Sequence, residues 1–168
     1  GTDSTIKGVL DSWYSSNLSS YASKIATGGG AAFCNDRTPY SGTGTGTTYT
    51  KYAAYIRLYS NKTPTFKCTD TGDRFATSVG LITADEVAYA GGVYGRSNSD
   101  YYLFTGQDYW TISPSSGGSY VRTFYVRSNN TLGDIYVPND HGVRPVINLK
   151  ADTLLTGSGT SSNPYVVS

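Results

Sequence analysis

The chain has 168 residues, and 13 Lys and Arg against 12 Asp and Glu leave a formal net charge of +1. That length suits one domain, and a balance so near zero gives no electrostatic footprint for nucleic acid, a membrane surface or a polyanion. No apolar run approaches the roughly 20 residues that cross a bilayer. Methionine is absent and no signal peptide is recognised, so the chain reads as an excised domain of a larger precursor. With 16 Tyr and 20 Gly, abundant Ser, Thr and Asn, and Glu86 as its lone glutamate, the composition favours short strands and long ordered loops over a helical bundle. A hydrophobic content of 38% is enough to form a core.

The first element is helical, over Ser4 to Ile25. Asp3 or Ser4 caps it, and Ile6, Leu10, Trp13 and Tyr14 fall on one stripe. The polar run Ser15–Ser20 should bend or break it before Leu18, Tyr21 and Ile25 resume an apolar face, and Gly28–Gly30 end it. Residues 35–50 read as a Gly/Thr-rich loop. Tyr52–Leu58 is open between helix and strand. Val79–Ile82 looks like a short buried strand feeding a second helix, where Thr83 and Glu86 make a capping box and Gly91-Gly92 stop the helix. Beyond Tyr101 the strand candidates are Tyr109–Ile112, Tyr120–Arg127, Asp134–Val137 and Val143–Leu149. Alternation in the second of these puts Phe124 and Val126 on one face and Thr123, Tyr125 and Arg127 on the other. Residues 154–168 are either a closing hairpin or a linker. The fold class is α+β in a single domain, residues 1–168.

Cys34 and Cys68 are the two cysteines. Their spacing fits neither a CxxC motif nor a zinc site, and with a single histidine they cannot close a four-ligand zinc site without carboxylates. A structural disulfide is the favoured reading, with a redox pair or a nucleophile as the alternative. A disulfide implies an oxidising compartment, hence a secreted or cell-surface location.

The segments Tyr109-Trp110-Thr111-Ile112-Ser113-Pro114 and Gly142-Val143-Arg144-Pro145-Val146-Ile147 resemble the C-terminal part of bacterial C-type-lectin-fold domains. That group includes the formylglycine-generating-enzyme-like proteins and the variable proteins of diversity-generating retroelements. Phe33–Arg37 and Val79–Gly92 resemble surface domains of gut Firmicutes. The resemblance implies a C-type-lectin-like fold whose ligand face is made by the tryptophan strand, a variable polar segment and the closing Arg-Pro strand. The tripeptides of calcium-dependent sugar-binding lectins of this fold are absent. Asp134 and Asp140 are the only acids between Asp108 and Asp152, too few for a calcium site of six to eight oxygens. Neither a metal nor another cofactor is therefore expected.

Catalytic constellations are equally thin. A Cys34–His141 dyad has no motif behind it and competes with the disulfide; Glu86 is committed to its capping box. Gly-x-Ser-x-Gly, phosphate-loop and dinucleotide motifs are missing. Residues 94–141 instead concentrate Tyr, Ser, Asn and Arg, a mixture that suits recognition. The expected function is a non-catalytic extracellular ligand-binding module, part of a larger surface protein, with a protein or glycan as its external partner. Strand parity and polarity nominate Thr123, Tyr125, Arg127, Asn129, Asp134, Tyr136, Asn139 and His141 as one exposed ligand face. The alternatives are a structural module of a surface or pilus-like protein and, third, a thiol-dependent enzyme.

Overall fold

A computed structural model describes residues 3–28, 31–160 and 162–167; Gly29 and Gly30, part of the expected glycine stop, lie outside them. Helix α1 runs Thr5–Asn17, and the Ser4 hydroxyl accepts from the Lys7 N–H as its cap. Leu10 is the buried residue of its stripe, with Ile6 and Tyr14 beside it in the same cluster. Trp13, at the margin of that stripe, stays exposed. The polar run does break the helix: a 3-10 stretch, Ser19–Lys24, replaces its continuation. Ile25 then pairs with Leu149 in an isolated antiparallel bridge.

Strands β1 (Phe33–Cys34), β2 (Pro39–Ser41) and β3 (Thr50–Tyr52) come next. The expected loop over 35–50 is therefore largely a hairpin, with β2 paired to β3. Gly42, Gly44 and Gly46 all take positive φ within it, which glycine adopts without steric cost. The ambiguous segment resolves as both elements: β3 passes into helix α2 (Ala53–Tyr55), which widens into a π-helical turn, Ile56–Asn61. Strand β4 (Arg74–Phe75) pairs with β1. Between them Cys34 and Cys68 form the disulfide, 34 residues apart.

Helix α3 (Ala84–Tyr89) carries the expected capping box. The Glu86 N–H donates to Thr83 Oγ1 at 3.0 Å, and the Thr83 N–H donates to Glu86 Oε2 at 2.7 Å. After β5 (Val93–Tyr94) the chain lays down β6 (Tyr109–Gly117), β7 (Arg122–Val126) and β8 (Thr131–Tyr136). Strand β6 continues five residues past its expected end, because shifts of register around Pro114 accommodate a residue that has no N–H to donate. Val79–Ile82 and Val143–Leu149 are not strands. They meet in a single bridge, Gly80 to Val146, beside Pro145, which cannot extend a ladder. The tail takes the hairpin form, β9 (Leu155–Thr156) against β10 (Val166–Val167).

The main sheet has the order β2-β3-β6-β7-β8-β5, antiparallel except for the β5–β8 pair. It is curled and buried on both faces. One face packs Tyr109, Phe124, Val126 and Leu132 against Ala54, Leu58, Ala84 and Val87 of the α2 and α3 side. The other packs Trp110 and Tyr125 against Leu10 of α1 and against Val79 and Leu81. The molecule is thus mixed α and β, with the sheet between two layers.

Candidate functional site

The α2 face of the sheet does not end in ordinary polar surface. At its margin the core ring Phe124 meets Tyr94 edge-on at 6.0 Å. Tyr94 in turn meets Tyr55 edge-on at 6.1 Å and Tyr59 at 5.2 Å, while Tyr55 and Tyr59 stack at 5.1 Å. The core therefore continues outward as aromatic rings, and the outermost, Tyr59, is half exposed. Edge-to-face and stacked geometries are the ones that ring quadrupoles favour. Two ammonium groups cap the cluster. Lys51 Nζ lies 5.2 Å from the Tyr55 centroid, and Lys62 Nζ lies 5.8 and 5.7 Å from those of Tyr59 and Tyr94, within cation–π range.

A buried polar node fixes this arrangement from below. Asp134 accepts a short hydrogen bond from the Tyr94 hydroxyl and one of 3.0 Å from Ser115 Oγ. Its Oδ2 faces Arg122 Nε at 3.0 Å, and Arg122 Nη2 donates to the Asp134 carbonyl at 3.1 Å. The carboxylate is thus neutralised and satisfied where it sits, as a buried charge requires. The Arg122 guanidinium also lies 4.8 Å from the Tyr136 ring, which packs against Tyr120 at 5.6 Å. Burial, followed by the hydrogen bond to Asp134, raises the Tyr94 pKa, and burial followed by the Asp134 charge raises that of Tyr55. Both phenols stay protonated well past neutral pH, Tyr94 as a donor to Asp134 and Tyr55 as ring surface, and neither as a base.

The eight residues nominated from sequence do not share a face. In the β7–β8 register Tyr125 lies opposite Gly133, and Arg122 opposite Tyr136; the odd spacing from Tyr125 to Arg122 sends Tyr125 and Tyr136 to opposite sides. Tyr125 is buried at 5% exposure against 44% for Tyr136. Asp134 and Tyr136 belong to the tyrosine surface, and Asn139 donates to the Tyr136 carbonyl at 2.8 Å. Thr123, Tyr125 and Arg127 alternate onto the opposite side, where His141 stacks on Tyr125 at 4.7 Å and meets Trp110 edge-on at 4.7 Å. Arg127 covers the Tyr125 ring at 5.4 Å, leaving that ring between two side chains. Asn129 sits in the turn joining β7 to β8, where its carbonyl accepts from Ser97. The reason for the split is that both sheet faces are covered, so alternation separates two packed layers rather than an inside from an outside.

Lys51, Tyr55, Tyr59, Lys62 and Tyr94 were not among the sequence candidates. The signal for Tyr55 and Tyr59 was their spacing by four residues, which aligns side chains along one side of a helical segment; Lys51 lies on β3, and nothing local marks Lys62 or Tyr94. Joined in the disulfide, Cys34 and Cys68 leave no thiol for a nucleophile. Among the described residues no group of three His, Cys, Asp or Glu side chains is placed to hold a metal ion, and no helix is long and apolar enough to cross a membrane. The chain matches no family model, no curated protein and no solved structure.

Proposed function

We propose that the domain is a non-catalytic recognition module of C-type-lectin-like fold, working at a cell surface or outside the cell, and that it binds an external ligand through the tyrosine surface. The observation that carries this reading is the outward continuation of the core through Phe124, Tyr94, Tyr55 and Tyr59. Rings anchored in this way present large, rigid contact area at little cost in side-chain entropy, which is how aromatic paratopes work. The Asp134 node pre-sets their orientation, so little ordering is left to be done on binding. The disulfide is compatible with an extracellular setting.

The test is binding of the immobilised domain to glycan and host surface-protein arrays, once with calcium and once with chelator, for the wild type and for Tyr59→Ala. Binding that survives chelation and is lost in Tyr59→Ala, with the thermal midpoint unchanged, supports the reading. Binding indifferent to Tyr59→Ala moves the site elsewhere. The structural-module reading draws on one specific feature, the exposed apolar side chains Leu155, Tyr165 and Val166 of the C-terminal hairpin. It expects no ligand at the tyrosine surface and self-association through the hairpin.

A further inference from the structure

The near-zero net charge conceals a local imbalance. Among the described residues, four of the aspartates are engaged with cations away from the tyrosine surface: Asp11 with Lys7, Asp73 with Arg37, and Asp36 and Asp85 with Arg57; Asp108 lies 3.5 Å from His141 Nδ1. At the surface itself Asp134 is matched by Arg122. Lys51 and Lys62 have no carboxylate partner among the described residues; their ammonium groups sit over rings. Both lysines flank the same three-ring cluster, so the surface carries two positive charges that no side chain compensates.

Building on the recognition reading, we propose that the ligand class is an acidic saccharide, a pyranose bearing a carboxylate or sulfate, held without calcium. Two features point to this chemistry together. The half-exposed Tyr59 ring offers apolar area that suits the C–H face of a sugar, and the Tyr55 and Tyr59 hydroxyls, unlike that of Tyr94, are not committed to Asp134. The ammonium groups beside the rings offer Coulomb attraction to an anion at short range, where it is strongest. An acidic peptide fits less well, because the cluster itself is made of side-chain rings and cation heads and offers no row of backbone groups for a peptide strand to pair with. The Asp134 carboxylate is not available to bind calcium in this arrangement, being already hydrogen-bonded to Tyr94 and Ser115 and ion-paired with Arg122.

The experiment is an array of uronate-, sialate- and sulfate-bearing oligosaccharides beside their methyl-esterified or desulfated counterparts, with a glutamate-rich peptide as a further probe, all in chelator. At least one acidic sugar is expected to bind about tenfold or more tightly than its neutral counterpart, with a preference that weakens as salt rises. The double variant K51Q/K62Q should bind the acidic and neutral forms alike while keeping its thermal midpoint. The salt series on the unaltered protein checks the same point without any substitution. Equal binding of acidic and neutral sugars, sensitive to Tyr59→Ala, overturns the acidic class and leaves the recognition surface standing. Binding of the peptide alone overturns the saccharide. No binding to any probe, with host proteins also blank, overturns both readings.

Discussion

Arg57 grips Asp85 with two parallel hydrogen bonds, Nε to Oδ1 at 3.0 Å and Nη2 to Oδ2 at 2.8 Å, and sends Nη1 to Asp36 at 2.8 Å. One guanidinium from the π-helical turn therefore ties α3 to the segment that follows Cys34. Thr65 adds its N–H to Asp85 at 2.9 Å, and Thr69 adds its hydroxyl to Asp36 at 3.1 Å. Both carboxylates are buried, so they depend on this partner for charge compensation.

Replacing Arg57 by Leu leaves two buried carboxylates without their cation and should cost about 3–5 kcal/mol. Arg57→Lys should recover only a minor part, because an ammonium cannot reproduce the fork to Asp85 and the bond to Asp36 at once. Urea unfolding midpoints of the two variants check this; a lysine variant as stable as the wild type would contradict it.

Opening the Cys34–Cys68 disulfide, by reduction or in a Cys34→Ser/Cys68→Ser variant, should lower stability by about 3–4 kcal/mol. Thr69 and Asp36 lie next to the two cysteines, so the disulfide and the Arg57 node restrain the same segment. Their losses should be less than additive in a double-mutant cycle, whereas distant sites would add. Chemical denaturation of the four forms measures the coupling.

Alkaline pH should weaken the fold in a defined sense. Burial, then the hydrogen bond to Asp134, raises the Tyr94 pKa, and burial, then the hydrogen bond to Tyr109, raises that of Tyr101. The unfolded chain releases these protons near pH ~10, while the native state retains them. The stability is thus full below that pH and falls as pH rises above it. Absorbance titration of tyrosinate should show a fraction of the 16 tyrosines ionising only together with loss of near-ultraviolet circular dichroism. Smooth ionisation of all of them in a folded protein would contradict this.

The two faces of β7 and β8 can be told apart by truncation. Tyr125→Ala removes a ring packed between His141, Trp110 and Arg127 and should destabilise by about 3–5 kcal/mol, the range for large buried aromatics. Tyr136→Ala removes an exposed ring and should change stability by less than about 1 kcal/mol. Thermal and urea unfolding of both variants decides whether the register is as described.

Local chemistry was readable from sequence wherever a side chain answers to its own backbone. The Thr83–Glu86 box, the Ser4 cap and the break before Ser19 all follow from residues within one turn of one another. What was not readable depends on partners far along the chain. Nothing local marks Thr111, Ser113 and Ser115 as buried, yet they are, because each hydroxyl finds a distant partner: the Phe124 carbonyl, the Ala84 N–H and Asp134. The same applies to the site. Alternation along β7 separated Phe124 from Tyr125 correctly, but it could not reveal that α1 covers the Tyr125 side. Tyr55, Tyr59 and Tyr94 converge only once β5 is laid beside β8.

The pairing of Ile25 with Leu149 decides how the domain carries tension. Ala26 donates to the Asn148 carbonyl at 2.8 Å and Lys150 to the Lys24 carbonyl at 2.9 Å, and because the pairing is antiparallel both chains leave it on the same side, beyond Lys24 and Lys150. A pull along those two exits loads the hydrogen bonds one after another, as a zip opens, rather than all together in shear. The loop between them contains the main sheet, the Arg57 node and the disulfide, so load carried along the backbone reaches the tyrosine surface only once the zip has opened. Load borne by α1, by contrast, passes through Leu10 into the Trp110 and Tyr125 layer on the other face of the sheet.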